Sequence, residues 1–289
     1  MAHPTPFIRY SDPGFQSDRT RMQELRLQLS DQELIIAVYD PLADHFPLIE
    51  RFPVANSYNK VKPHEAMARI LQTHSLTRLE FKRIEVIPVT PTWTLIPGAL
   101  YDAESARAML HLGAEIAEDQ LVYADSIAGN DIKLAYTWPV QWKQVVDSQF
   151  PDAVVRHFAG ILADSLLRMH MKESVLTAHV QGFQMDLLGL VDGKIHLYNS
   201  YSFNSPEDFL YFIVLAYEQL EFNRELVPLQ LTGEVEDGSA IHQLCYKYIR
   251  EVRFVTRPSS SSVPDAEGDM GTLAPHALMN LLHPYDADH

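Results

Sequence analysis

With 289 residues, 38 Asp and Glu against 23 Lys and Arg, and a formal net charge of −15 at pH 7, the chain argues against a nucleic-acid surface, because phosphate binding requires clustered basic side chains. A hydrophobic content of 46% supports a sizeable core in one large domain or two moderate ones, and the single cysteine, Cys245, excludes an intramolecular disulfide. The longest apolar run, Phe209 to Ala216, is too short to cross a bilayer, and Met1 to Tyr10 lacks the apolar segment of a signal peptide, so a cytoplasmic protein without a membrane span is expected.

Residues 1–21 are polar, carry Pro4, Pro6 and Pro13, and show no apolar period, which predicts an irregular arm. Order is expected from about residue 22, in a first module reaching residue 171. Leu25-Arg-Leu-Gln-Leu alternates with period two, Ser30 to Glu33 turns, Leu34 to Tyr39 is a buried-type strand, and His45 to Val54 reads as an edge strand because it contains Pro47. Pro63-His64-Glu65 opens an amphipathic helix to about Thr73, and Phe81 to Val89 returns as a strand. The module is elaborated by Thr92 to Pro97, a helix from about Ala103 to Ile116, and a strand pair about Gly129-Asn130. A short helix with Trp142 and Val146, a strand at Ala153 to Arg156 and a helix from Phe158 to Met169 complete it.

The second module, 172–256, is the clearest part of the chain. Thr177 to Val180, Phe183 to Val191 and Lys194 to Phe203 read as strands, with Asp192-Gly193 as the strongest hairpin signal. Ser205-Pro206-Glu207-Asp208 supplies an N-cap, a proline at the first helical position and two carboxylates against the positive end of the helix dipole. The helix runs to about Phe222 and is apolar nearly all round, which predicts cover on more than one side. Val227 to Thr232 returns as a strand, and Ser239 to Phe254 forms a helix and its exit. A β-β-β-α-β order on both sides of Lys172 predicts an α/β fold of two ribonuclease-H-like modules with mixed sheets, each continuing into a further helix. Residues 257–273, rich in Ser, Pro and Gly, are expected to be a mobile polar loop, and residues 274–289 to dock back on the body through His276 to Leu282.

Trp93-Thr94-Leu95-Ile96-Pro97, Leu100-Tyr101-Asp102, Tyr198-Asn199-Ser200, Glu207-Asp208-Phe209-Leu210-Tyr211, Leu231-Thr232-Gly233-Glu234 and Tyr248-Ile249-Arg250 resemble an uncharacterised bacterial family of unknown function grouped with the actin-like ATPases. The resemblance covers roughly Arg21 to Phe254. It implies an actin-like fold of two ribonuclease-H-like modules and carries no activity with it. More distant relatives implied by the grouping are actin-like proteins of type IV pilus assembly and type II secretion, some of which bind partner proteins.

An actin-like ATPase cradles phosphate on the backbone N–H groups of two glycine-bearing hairpins, uses an Asp for the metal, and holds adenosine on a glycine turn. The first hairpin here, Leu29 to Glu33, has no glycine and carries Asp31 and Glu33. The second, His179 to Phe183, has the single Gly182, with His179 where an acidic metal ligand is expected. Thr232-Gly233 keeps the shape of the adenosine turn, although a strand-to-helix connection needing positive φ explains Gly233 equally well. Gly182, Thr232 and Gly233 are therefore the candidate nucleotide-cleft positions. Gly189 to Lys194 is a hairpin turn rather than a phosphate loop, since no Ser or Thr follows Lys194. His179 and His196 could face one another across strands only in one particular register, no metal-ligand spacing supports them, and packed or solvated histidines are expected. Asp125 and Asp131, about the Ser126 to Asn130 turn, read as exposed turn acids rather than a carboxylate pair. Cys245, among Ile241, Leu244 and Tyr248, reads as a packed thiol. The expected function is a non-catalytic actin-like module that binds or scaffolds another protein, with no cofactor, no metal and no catalytic residues. The alternative is an ATP-binding or phosphotransfer enzyme using magnesium-ATP. Neither the partner nor the oligomeric state is fixed by the sequence.

Overall fold

The computed structural model describes residues 4–54, 61–255, 274, 276–278 and 281. The sequence-predicted loop at 257–273 and most of the segment beyond it lie outside the described residues. Packing divides the described residues into two compact units, one within 4–160 together with 281, the other within 161–255 together with 274 and 276–278.

The first unit is built on a six-stranded sheet. Its strands are β1 (Ile8–Ser11), β2 (Glu24–Leu29), β3 (Glu33–Asp40) and β4 (His45–Pro53); then, beyond helix α1 (Pro63–Thr73), β5 (Arg83–Pro88). A second layer of three strands, β6 (Trp93–Pro97), β7 (Gln120–Ser126) and β8 (Ile132–Pro139), carries helix α2 (Ala103–Gly113). Helix α3 (Val140–Gln149) leads to the short strand β9 (Val154–Val155), and helix α4 (Phe158–Met169) begins here and continues into the second unit. The sheet order is β1-β4-β3-β2-β5-β9, with β2, β5 and β9 parallel and the other pairs antiparallel.

The second unit repeats the plan. Strands β10 (Val175–Gln181), β11 (Gln184–Val191) and β12 (Lys194–Ser202) form a meander, helix α5 (Pro206–Gln219) crosses over, and β13 (Leu229–Gly233), helix α6 (Ala240–Tyr246) and β14 (Val252–Phe254) follow. The order is β12-β11-β10-β13-β14, with β10, β13 and β14 parallel. Strand for strand this is the β4-β3-β2-β5-β9 part of the first sheet, so the expected ribonuclease-H-like repeat is present in two separate sheets.

Local chemistry accounts for the elements. Asp192 and Gly193 take φ values of 49° and 75°, the two positive angles of a type I′ hairpin turn. The Ser205 side chain accepts the Asp208 N–H at the start of α5, with Pro206 in the first turn. The α5 helix ends at Gln219 and buries one stripe, Phe209, Ile213, Ala216 and Tyr217, against the core of Leu176, Ala178, Leu187 and Leu231. Leu210, Phe212 and Leu220 pack against the same core, and the helix also lies against α6, while Tyr211 remains 62% exposed on its open face.

The arm expected to be irregular contains β1 and a 3-10 turn at Ser17–Met22. Backbone bonds flank β1, Phe7 N–H to Arg51 O and Asp12 N–H to Pro47 O, both 2.9 Å, Arg9 pairs with Glu50 at 3.1 Å, and Tyr10 is its only core residue; no apolar period is needed. In consequence β4 is an interior strand despite Pro47, which offers its carbonyl where it lacks a donor. Among the described residues, no helix is long and apolar enough to cross a membrane.

Candidate functional site

The three residues singled out in the sequence meet at one end of the second sheet. Strands β10 and β13 are parallel neighbours, with His179 opposite Thr232 and Val180 opposite Gly233, so their carboxyl ends share an edge of the kind where open α/β sheets bind ligands. Gly182 opens the two-residue turn into β11 with φ of 57°, and Gly233 turns the chain out of β13 with φ of 84°. The close approach at Gly233 is strict: an added Cβ would lie 2.1 Å from the Val180 carbonyl oxygen. The turn lets the Glu234 N–H donate back to Val180 O at 2.7 Å.

That reversal brings the Glu234 carboxylate to the hairpin, where its Oε2 accepts the Gly182 N–H at 2.9 Å. The Gly182 amide is thus bound by a side chain of the same unit. The neighbouring donors are also taken. The His276 carbonyl accepts both the Thr232 hydroxyl at 2.8 Å and the Gly233 N–H at 2.9 Å. The His276 imidazole donates from Nε2 to Val235 O at 2.6 Å and stacks on Phe254 with ring centroids 4.3 Å apart.

Next to these donors lie two buried titratable groups of β10 and β11. His179 is buried, and burial depresses its imidazole to about 4, opposed by the charge of Glu234. Opposite it on β11 is Asp186, whose carboxyl burial pushes up to about 7 against the opposing Ser200 hydrogen bond. The structure does not bring His179 and His196 together, because His196 falls at the bulge between β11 and β12 and is exposed. Cys245 is buried, and burial pushes its thiol up to about 12, which suits packing and not nucleophilic attack.

In the first unit the β2–β3 hairpin uses its own amides. The Ser30 hydroxyl accepts the N–H groups of Gln32 (3.3 Å) and Glu33 (3.0 Å), and Ser30 N–H donates to Glu33 O. Glu33 turns away to a two-pronged ion pair with Arg51, at 2.8 and 2.9 Å, leaving Asp31 as the exposed carboxylate at the rim of a cavity of about 220 Å³ floored by Thr90, Thr137 and Trp142. Asp125 is not an exposed turn acid. Its Oδ2 accepts the His157 N–H at 2.6 Å ahead of α4 and its Oδ1 accepts the Tyr136 hydroxyl, while Asp131 packs on Gly98, so the two carboxylates serve different elements.

Sequence reasoning passed over Glu234 and His276. Glu234 follows Gly233 directly, and a carboxylate beside the expected adenosine turn was the available signal. His276 had none, being 44 residues from Thr232.

Comparison with known proteins bears on the fold. A protein of Bacteroides thetaiotaomicron VPI-5482 with an actin-like ATPase fold and unknown function superposes with a TM-score of 0.76 at 19% identity, covering 83% of this chain and 93% of that one. The PilM–PilN type IV pilus biogenesis complex matches with a TM-score of 0.49 at 11% identity, over 82% and 89% of the two chains. The ethanolamine utilization protein EutJ from Carboxydothermus hydrogenoformans matches at 0.44 and 9%, over 80% and 84%. At these identities the first likeness establishes the actin-like fold alone. No curated protein sequence matches the chain. The model of the proteins of unknown function DUF3822 matches residues 12–252, and the chain belongs to that family.

Proposed function

We propose that this chain is a non-catalytic actin-like protein that acts by binding another protein, as a docking or scaffolding module. The observation that supports the reading is the bond from Gly182 N–H to Glu234, which sets a fixed negative charge where a nucleotide phosphate would need a donor. Phosphoryl transfer depends on preorganised donors and a metal to stabilise developing charge. Here the hairpin amide faces a carboxylate, the turn donors face the His276 carbonyl, and buried His179 holds the metal-ligand position. Exposed aromatic residues nearby, Phe183 at the hairpin tip and Tyr211 on α5, are of the type that anchors protein interfaces.

The test is phosphate release over hours with magnesium-ATP, alongside thermal unfolding with and without the nucleotide. Turnover at background and an unchanged Tm are expected. Turnover that disappears in Gly182→Val, where an added Cβ meets nothing within 4 Å, would overturn the reading in favour of an ATP-using enzyme.

A further inference from the structure

The cavity of about 220 Å³ with Asp31 at its rim lies wholly within the first unit. Its lining mixes apolar side chains, among them Ile116, Pro139 and Trp142, with the exposed carboxylates of Asp31 and Glu115, and among the described residues it contains no Lys, Arg or His. Glu33, the neighbouring acid, is paired with Arg51, whereas the side chains of Asp31 and Glu115 have no hydrogen bond or ion pair among the described residues. Thr137 is unsatisfied too. It is 4% exposed, its N–H donates to Thr92 O at 3.0 Å and its carbonyl accepts the Thr90 hydroxyl at 2.8 Å, but its own hydroxyl has no partner among the described residues. On β8 it faces away from Tyr136 and Trp138, which pack on Tyr123, so the hydroxyl is turned toward the cavity that it lines. A buried hydroxyl without a hydrogen bond is unfavourable, and a donor entering the cavity satisfies it.

We propose that this cavity binds an alkylguanidinium cation. The two carboxylates and the Thr137 hydroxyl are acceptors for its N–H groups, Trp142 gives an aromatic wall to the planar cation, and Ile116 and Pro139 cover the alkyl stem. Two unpaired carboxylates beside apolar walls set the sign of the ligand, since a phosphate or a carboxylate would be repelled. A metal ion fits poorly: calcium gathers roughly six to eight oxygens, and among the described residues no group of three or more His, Cys, Asp or Glu could hold a metal. A primary ammonium is more strongly hydrated and has no flat face to set against an indole. The volume falls below the roughly 300–1,000 Å³ of sites for drug-sized ligands, which suits one short cation. The site is independent of the protein-binding reading above, which rests on the second sheet.

The experiment titrates the full chain with n-butylguanidine and follows the indole N–H signals of its three tryptophans by NMR, Trp142→Phe identifying the signal of Trp142. That signal is expected to move saturably, with a Kd on the order of 1 mM. The neutral isostere n-butylurea should bind about tenfold more weakly or worse, a comparison that no misfolding of a variant can mimic. Asp31→Asn combined with Glu115→Gln, both at exposed positions, should weaken butylguanidine about tenfold or more. Thr137→Val should weaken it by a similar factor while unfolding at the same temperature as the parent or higher, because the hydroxyl it removes has no partner. A Trp142 signal that does not move, butylurea bound as tightly as butylguanidine, or unchanged affinity in the double variant would overturn the proposal. N-acetyl-arginine N-methylamide separates the two sources of the group. Bound as tightly as butylguanidine, it assigns the cavity to an arginine side chain of a partner; if it is excluded while butylguanidine binds, the ligand is a free small guanidine.

Discussion

The guanidinium of Arg26 lies 4.4 Å above the ring of Tyr39, and both side chains are shut away from solvent in the first sheet. The same guanidinium donates to Glu24 at 3.1 Å and to the Leu281 carbonyl at 2.9 Å, and stands 3.7 Å from Glu85. Glu24 and Glu85 are themselves buried. Arg26→Leu therefore removes the cation shared by two buried carboxylates, of which only Glu85 keeps another in Arg83 at 3.9 Å, and a loss of about 3–5 kcal/mol is expected in urea unfolding. Adding Glu24→Gln and Glu85→Gln should recover part of it. A loss below about 1 kcal/mol in the single variant would show that the charges are better solvated than their burial implies.

Gly193 and Gly129 both hold positive φ, 75° and 69°, but differ in what surrounds them. A Cβ on Gly193 would stand 2.1 Å from the Met171 carbonyl oxygen, whereas one on Gly129 meets nothing within 4 Å. Gly193→Val is expected to cost more than about 3 kcal/mol, and Gly129→Ala only the conformational cost of about 1–2 kcal/mol. Equal melting temperatures would contradict the crowding at Met171.

Asp186 and His179 face each other across β10 and β11 and respond oppositely to burial, which pushes the carboxyl up to about 7 and the imidazole down to about 4. Folded Asp186 keeps its proton through a range in which the unfolded group has lost it, so its stabilising contribution is full below about pH 4 and gone above about pH 7. For His179 the contribution is full above about pH 6.5 and is lost as pH falls toward 4. Asp186→Asn removes the first effect and leaves the second. Its stability relative to the parent should rise between pH 4 and pH 8 by on the order of 3 kcal/mol, read from urea midpoints at the two values. A difference independent of pH would mean that Asp186 titrates normally.

Glu234→Ala returns the Gly182 N–H to water. Because the bond is exposed, the cost is expected to be about 1 kcal/mol or less, while hydrogen exchange at the Gly182 amide should quicken about tenfold or more. Unchanged exchange would show that the carboxylate does not hold the hairpin.

The parts of the fold that could be read from the sequence are those coded by near neighbours. Asp192-Gly193 specifies its own turn, Ser205 and Pro206 specify a helix start, and three successive apolar runs specify a meander. Strand β14 escaped as an element because three residues, Val252–Phe254, carry no period. Leu25-Arg-Leu-Gln-Leu alternates as a half-wetted strand does, yet all of β2 is buried, since its polar side chains find partners such as Glu24 for Arg26. At the candidate site, Gly182, Thr232 and Gly233 could be named because glycine and hydroxyl turns are local features. Their occupants could not: Glu234 reaches Gly182 across 52 residues and His276 reaches Thr232 across 44, and such meetings leave no mark on either local pattern.

The short strand β1 bears on how this protein is handled. It lies against β4, whose Phe46, Leu48, Ile49 and Phe52 are buried, and it ends at Ser11, one residue before the family match begins. A recombinant fragment trimmed to residues 12–252 would strip that strand and leave a long, apolar, unpaired edge open to strands from other molecules, the geometry that seeds aggregation. Expression vectors should therefore start upstream of Phe7, and affinity tags should be spaced from it.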